Sequence, residues 1–126
     1  MRTMRDGVPG ELRVRVRTRQ RTAVVSLFGE LDIASVAQVG DAVDSINLDA
    51  DGFRHVVLDL RGLTFMDATG IHELIRQSNG ADANQHDLTV VRGRASVSRL
   101  MRITAVDKRL VLVERPQDLA PPSATH

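Results

Sequence analysis

"HVVLDLRGLTFMDATGIHELI", residues 55–75, changes its period in the middle. The first six residues are a compact apolar run of strand length, which suits a strand buried on both faces. From Asp67 onward the apolar residues recur with helical spacing. The stretch therefore predicts a central strand over 54–60, a short loop, and a helix over 68–79. Asp67 stands at the N-cap position, where a carboxylate accepts the amide of Thr69 or Gly70. Met66 and Ile71 then occupy the two positions of a hydrophobic staple. Ile71, Leu74, Ile75 and Ser78 would face inward, and Asn79-Gly80 would stop the helix. Asp59 interrupts the apolar run. A buried carboxylate is costly unless hydrogen-bonded, so it is expected at the strand's C-terminal end, taking amides from the loop.

Working outward, "ELRVRVRTRQR" (11–21) alternates Leu12, Val14 and Val16 with arginines. Period 2 predicts a half-buried strand with Arg13, Arg15, Arg17, Arg19 and Arg21 on its wet face. "TAVVSLFG" (22–29) follows closely as a second strand, which predicts an antiparallel hairpin. Val36, Val39, Val43 and Ile46 then mark one face of a helix over about 34–48. After the 55–75 stretch come a strand in "DLTVVRG", a helix over 95–104 with Val97, Leu100, Met101 and Thr104 on one face, and a strand in "RLVLV" (109–113). The order β-β-α-β-α-β-α-β implies an α/β fold: an initial hairpin, then alternating helices and strands, with helices packed on a mixed sheet.

The 126 residues suit one domain, here 10–118, between a loose leader (1–9) and a proline-containing tail (119–126). A chain of this size buries roughly two-thirds of its unfolded surface. Aromatics are only 2% of residues, so the core must be aliphatic. No cysteine is present, which excludes disulfide and thiol chemistry. No apolar run is long enough to span a membrane, and the N-terminus lacks a signal core. A cytoplasmic location without membrane insertion is expected. Net charge is +1, but residues 22–53 carry six acids and no base, while seven arginines precede them.

The arginine strand could bind nucleic acid. It lacks the interleaved aromatics that single-strand binders use for stacking, and a charged strand also protects a sheet edge. A solvated face without direct nucleic-acid binding is expected. The four histidines have no metal-ligand spacing, so neither metal nor cofactor is expected. Asp67, Thr69 and His72 lack an oxyanion loop and a second base, which argues against an enzyme. Two readings of the helix mouth stay open on these grounds. In one, Asp67 caps, Thr69 is an ordinary first-turn residue and Gly70 is incidental. In the other, the Thr69 hydroxyl is there to be modified, and Gly70 keeps the neighbouring surface low enough for another molecule to approach.

"VVLDLRGLTFMDATGIHELI" closely resembles the signature of STAS domains, the anti-sigma factor antagonist family. "VSLFGELDIASVAQVGDAV" is similar to the family's earlier turn and helix, and "LTVVRGRASVSRLMRITAVDKRLVLV" to its closing strand, helix and strand. The resemblance covers about residues 11–115. It implies the STAS fold and a partner-switching role. An anti-sigma factor that is also a Ser/Thr kinase of the histidine-kinase-like ATPase fold would be bound, freeing its sigma factor. The kinase would phosphorylate Thr69, release would follow, and a phosphatase would restore the protein. Asp67, Ala68 and Gly70 would form the switch loop and cap, with Ala68 in place of the family's first hydroxyl residue. Glu30, Leu31, Asp32, Met66 and Ile71 would be partner-binding residues. The protein would be a monomer or weak dimer. Alternative readings are a stressosome-like scaffold, a transporter's cytoplasmic subunit, and a nucleotide-binding module, although the chain has no GxxxxGK[ST] loop.

Overall fold

The structure, a computed structural model, describes residues 11–46 and 52–115. The expected leader 1–9 and tail 119–126 lie outside the described residues. The elements are β1 (Leu12–Arg19), β2 (Thr22–Leu31), α1 (Ala37–Asp44), β3 (His55–Met66), α2 (Ala68–Asn84), β4 (Asp87–Val91), α3 (Ala95–Ile103), a 3-10 turn (Val106–Lys108) and β5 (Leu112–Val113). The five strands lie side by side in chain order. β1 and β2 form the antiparallel hairpin, and the other neighbours are parallel. Parallel neighbours need a crossover, and each of the three helices supplies one.

Alternation decides what the sheet buries. Ala23, Val25 and Leu27 of β2, Val56, Leu58 and Leu60 of β3, and Val90 of β4 join one core with Val39 and Val43 of α1, Ile71 and Leu74 of α2, and Val97 and Met101 of α3. The helices therefore pack on that face of the sheet. The largest fully buried side chains are Leu, Val and Met, as the scarcity of aromatics requires. The arginines of β1 point to the other face and are exposed.

A polar cluster within α2 packs against Gly40 of α1. Glu73 is buried on α2, where its carboxylate accepts from Arg76 Nε and Nη2 at 3.1 Å each and from Gln77 Nε2 at 2.6 Å. A Cβ at Gly40 would lie 2.7 Å from Arg76 Nη2, so a side chain there would displace the Arg76 guanidinium from its place over α1. The hydrogen bond to Glu73 raises the Arg76 pKa.

Five expectations need correction. β3 does not end at 60. Residues 62–66 pair with 28–31 of β2 through two register shifts, so the expected loop is strand. The shift at Gly29 rests on its φ of +106°, and a Cβ there would lie 2.5 Å from the Glu11 carbonyl oxygen. Asp59 is consequently inside the strand. It is satisfied by the Arg61 amide at 3.0 Å and the Arg61 guanidinium at 2.8 Å. Helix α2 continues through Asn79-Gly80 to a cap at left-handed Gln85. Buried Ala81 extends the Ile71–Leu74 stripe by two more turns, which outweighs the roughly 1 kcal/mol cost of an interior glycine. α1 and β5 are shorter than expected. Residues 32–36 fold as turns before α1, and only Leu112–Val113 pair with β4.

Candidate functional site

The C-terminal ends of β2 and β3 build the site. Leu31 pairs with Met66, so the Asp32 and Asp67 turns leave the sheet side by side. Asp67 is extended and caps α2. Its Oδ1 accepts from the Thr69 amide at 2.9 Å and, more loosely, from Gly70 at 3.4 Å. Ala68 is exposed at the first helical position. Thr69 follows, half-buried, and its hydroxyl makes no hydrogen bond among the described residues.

Gly70 has a different reason from the one expected. It is buried, and a Cβ there would collide with the Met66 side chain and reach Leu31 Cδ2 at 3.1 Å. The glycine lets Met66 and Leu31 seal the underside of the helix mouth. Among the five residues expected to meet a partner, Glu30 and Asp32 are half-buried, while Leu31, Met66 and Ile71 are core residues. These last three shape the surface from beneath, because their pairing and staple positions turn them toward the helices.

The Asp32 turn has its own internal support, which sequence reasoning missed. Ser35 is 1% exposed; its Oγ donates to the Glu30 carbonyl at 2.7 Å and accepts from the Asp32 amide at 3.1 Å. Asp32 Oδ1 accepts from the Ala34 amide at 2.9 Å. Two apolar residues were missed as well. Ile33, between those anchors, is 81% exposed, and Phe65, paired opposite Glu30, is 46% exposed. Both are large apolar side chains exposed at the same end of the sheet as the Asp67 turn. The only sequence signal was that Ile33 lies off the α1 stripe.

His72 is exposed on α2, apart from any base. His55 is buried, its Nε2 lying 2.8 Å from Thr89 Oγ1, and burial pushes its pKa down. Among the described residues no cluster of His, Asp and Glu could hold a metal ion, and no helix is long and apolar enough to cross a membrane. The arrangement offers a hydroxyl at a helix N-terminus, two carboxylates beside it, and an apolar rim.

A family profile described as "Mlab, STAS domain" matches residues 14–114. The anti-sigma-B factor antagonist of Staphylococcus aureus (strain NCTC 8325 / PS 47) is 23% identical over 95 residues, covering 75% of this chain and 86% of that protein. An anti-sigma factor antagonist from Mycobacterium paratuberculosis has a similar structure, with a TM-score of 0.76 at 23% identity over 88% of this chain and 92% of that one. The Bacillus antagonist SpoIIAA is also similar. Its unphosphorylated form gives a TM-score of 0.68 at 17% identity over 84% of this chain and 92% of that one. Its phosphorylated form gives 0.63 at 16% identity over 84% and 96%.

Proposed function

The chain belongs to the STAS domain family, and from that premise we propose that it is an anti-sigma factor antagonist switched by phosphorylation of Thr69. In this reading the protein captures an anti-sigma factor that is also a Ser/Thr kinase, frees the sigma factor, and is released when the kinase modifies Thr69. A phosphatase resets it. The observation that carries the reading is the Thr69 hydroxyl: half-buried in the first turn of α2, without a hydrogen bond among the described residues, and held by an amide that Asp67 fixes. Related antagonists, one of them solved in a phosphorylated form, support the same role.

The energetics suit a switch. Phosphothreonine adds about −1.5 to −2 charges. The N-terminus of α2 favours a phosphate, but Asp67 already occupies that positive end and Asp32 lies on the neighbouring turn. Repulsion from these carboxylates is on the order of 1–5 kcal/mol. Taking a binding equilibrium from mostly bound to mostly free requires roughly 5.5 kcal/mol of differential affinity. The desolvation of a phosphate enclosed in a partner interface would supply the remainder.

The test is to incubate the protein with ATP and the kinase recovered from its native cytosol, then map the phosphate by mass spectrometry and measure partner affinity. Phosphate on Thr69 with release is expected, and Thr69→Ala should bind without being released. Thr69→Glu should weaken binding incompletely, since a carboxylate carries less charge than phosphate. Phosphate on another residue would overturn the assignment. Phosphate on Thr69 with unchanged affinity would favour the scaffold reading.

A further inference from the structure

On the sheet face away from the helices, β1, β2 and β3 line a depression. The alternation that buries Ala23, Val25 and Leu27 turns Ser26 and Phe28 the other way. Ser26 pairs with Arg15 of β1 on one side and with Asp59 of β3 on the other. These residues, with Arg17, Phe28 and Arg61, bound a cavity of about 290 Å³. Gly62 completes its wall, and the Phe28 ring occupies the space a Cβ there would need.

The chemistry of the cavity is that of an anion site. Three guanidinium groups face one carboxylate. That carboxylate, Asp59, is already held by Nε and Nη2 of Arg61, which leaves Arg61 Nη1 without a hydrogen bond among the described residues. Arg15 lies over the Phe28 ring, 5.8 Å from its centroid. Neither Arg15 nor Arg17 has an acidic partner among the described residues. The middle strand adds a hydroxyl to this lining. Ser26 is only 8% exposed and lines the cavity, yet its hydroxyl makes no hydrogen bond among the described residues. That hydroxyl keeps some contact with solvent and is available to a molecule in the cavity.

We propose that this cavity binds a small phosphoryl-bearing molecule. Arg15 and Arg17 supply the charge, Ser26 donates its hydroxyl, and Asp59 holds the Arg61 fork in place from the opposite wall. A phosphoryl group offers three strong acceptor oxygens, which suits donors converging from three strands. The volume lies at the lower end of the roughly 300–1,000 Å³ of small-molecule sites, so the ligand is compact. A nucleic-acid strand fits less well. Stacking needs an open aromatic face, and Phe28 is covered by Arg13 and Arg15 at 5.6 and 5.8 Å and packs against Gly62. The proposal is independent of the role given to Thr69.

The probe is pyrophosphate, titrated calorimetrically into the full chain at constant ionic strength. One saturable site is expected. Arg17→Gln should weaken it at least tenfold and Ser26→Ala several-fold. Arg19→Gln, on the same strand but outside the cavity, should leave it unchanged. Ser26→Ala removes one oxygen, and an unchanged thermal melt would show that its fold is intact. Absence of saturable binding would overturn the proposal, as would binding insensitive to both Arg17→Gln and Ser26→Ala. So would tighter binding of a single-stranded oligonucleotide that Arg19→Gln weakens equally, because that result describes a charged stripe and no cavity.

Discussion

Two turns leave the same end of the sheet and begin alike. Asp32 accepts the amide of Ala34 and Asp67 accepts that of Thr69, both at 2.9 Å. They differ in what the next hydroxyl does. Ser35 is buried and hydrogen-bonded on both sides, so its oxygen is committed to holding the loop. Thr69 stands on a turn already closed by Asp67 and Gly70, and its oxygen makes no hydrogen bond among the described residues. A capped turn frees a hydroxyl for chemistry only when another group does the capping.

That contrast can be broken in four ways. The largest effect is expected for Ser35→Ala, which leaves the Glu30 carbonyl and the Asp32 amide without their partner. Losing such buried bonds costs about 1–3 kcal/mol, measurable by urea unfolding; a loss below about 0.5 kcal/mol would mean that Ser35 is not the post of the turn. Phe65→Ala comes next. It should weaken capture of the proposed anti-sigma partner at least tenfold, about 1.4 kcal/mol, while stability changes little. Unaltered affinity would remove the apolar rim from the interface. Asp67→Ala should cost about 0.5–2 kcal/mol through the lost cap and slow modification of Thr69. If phosphorylation kept its wild-type rate, the carboxylate would have no part in presenting the hydroxyl. Thr69→Ala should be the mildest in the unfolding experiment, within about 0.5 kcal/mol. A larger loss would show that its hydroxyl is structural after all, like that of Ser35.

Much of this was legible in the sequence because it is local. Period 3.6 through Val39 and Val43 reports burial directly, and the Asp67 cap needs only residues 66–71; period 2 in 12–19 gave the strand but overstated its buried face, because on this edge strand only Leu12 is buried and Val16 is 39% exposed. The failures share one cause, which is dependence on a distant strand. Residues 61–66 read as a loop because their partners, 28–31, accept them only through two register shifts. Asn79-Gly80 read as a stop because the burial of Ala81 cannot be seen without the sheet beneath it. Ser35 looks like any turn serine until the Glu30 carbonyl is brought within 2.7 Å. The arginines of β1 were read correctly as facing outward, but their meeting with Ser26 and Asp59 is a property of three strands together.

The match between spatial and chain order has a kinetic consequence. No strand has to insert between two already paired, so each one adds to the edge left by its predecessor. The β1–β2 hairpin closes over a two-residue loop, and the parallel pairings that follow span longer separations with larger closure entropy. Such a chain can assemble from its N-terminus as it leaves the ribosome. Pulse-labelled hydrogen exchange during refolding should then protect amides of β2 before those of β4 and β5, and the reverse sequence would contradict an assembly that runs along the chain.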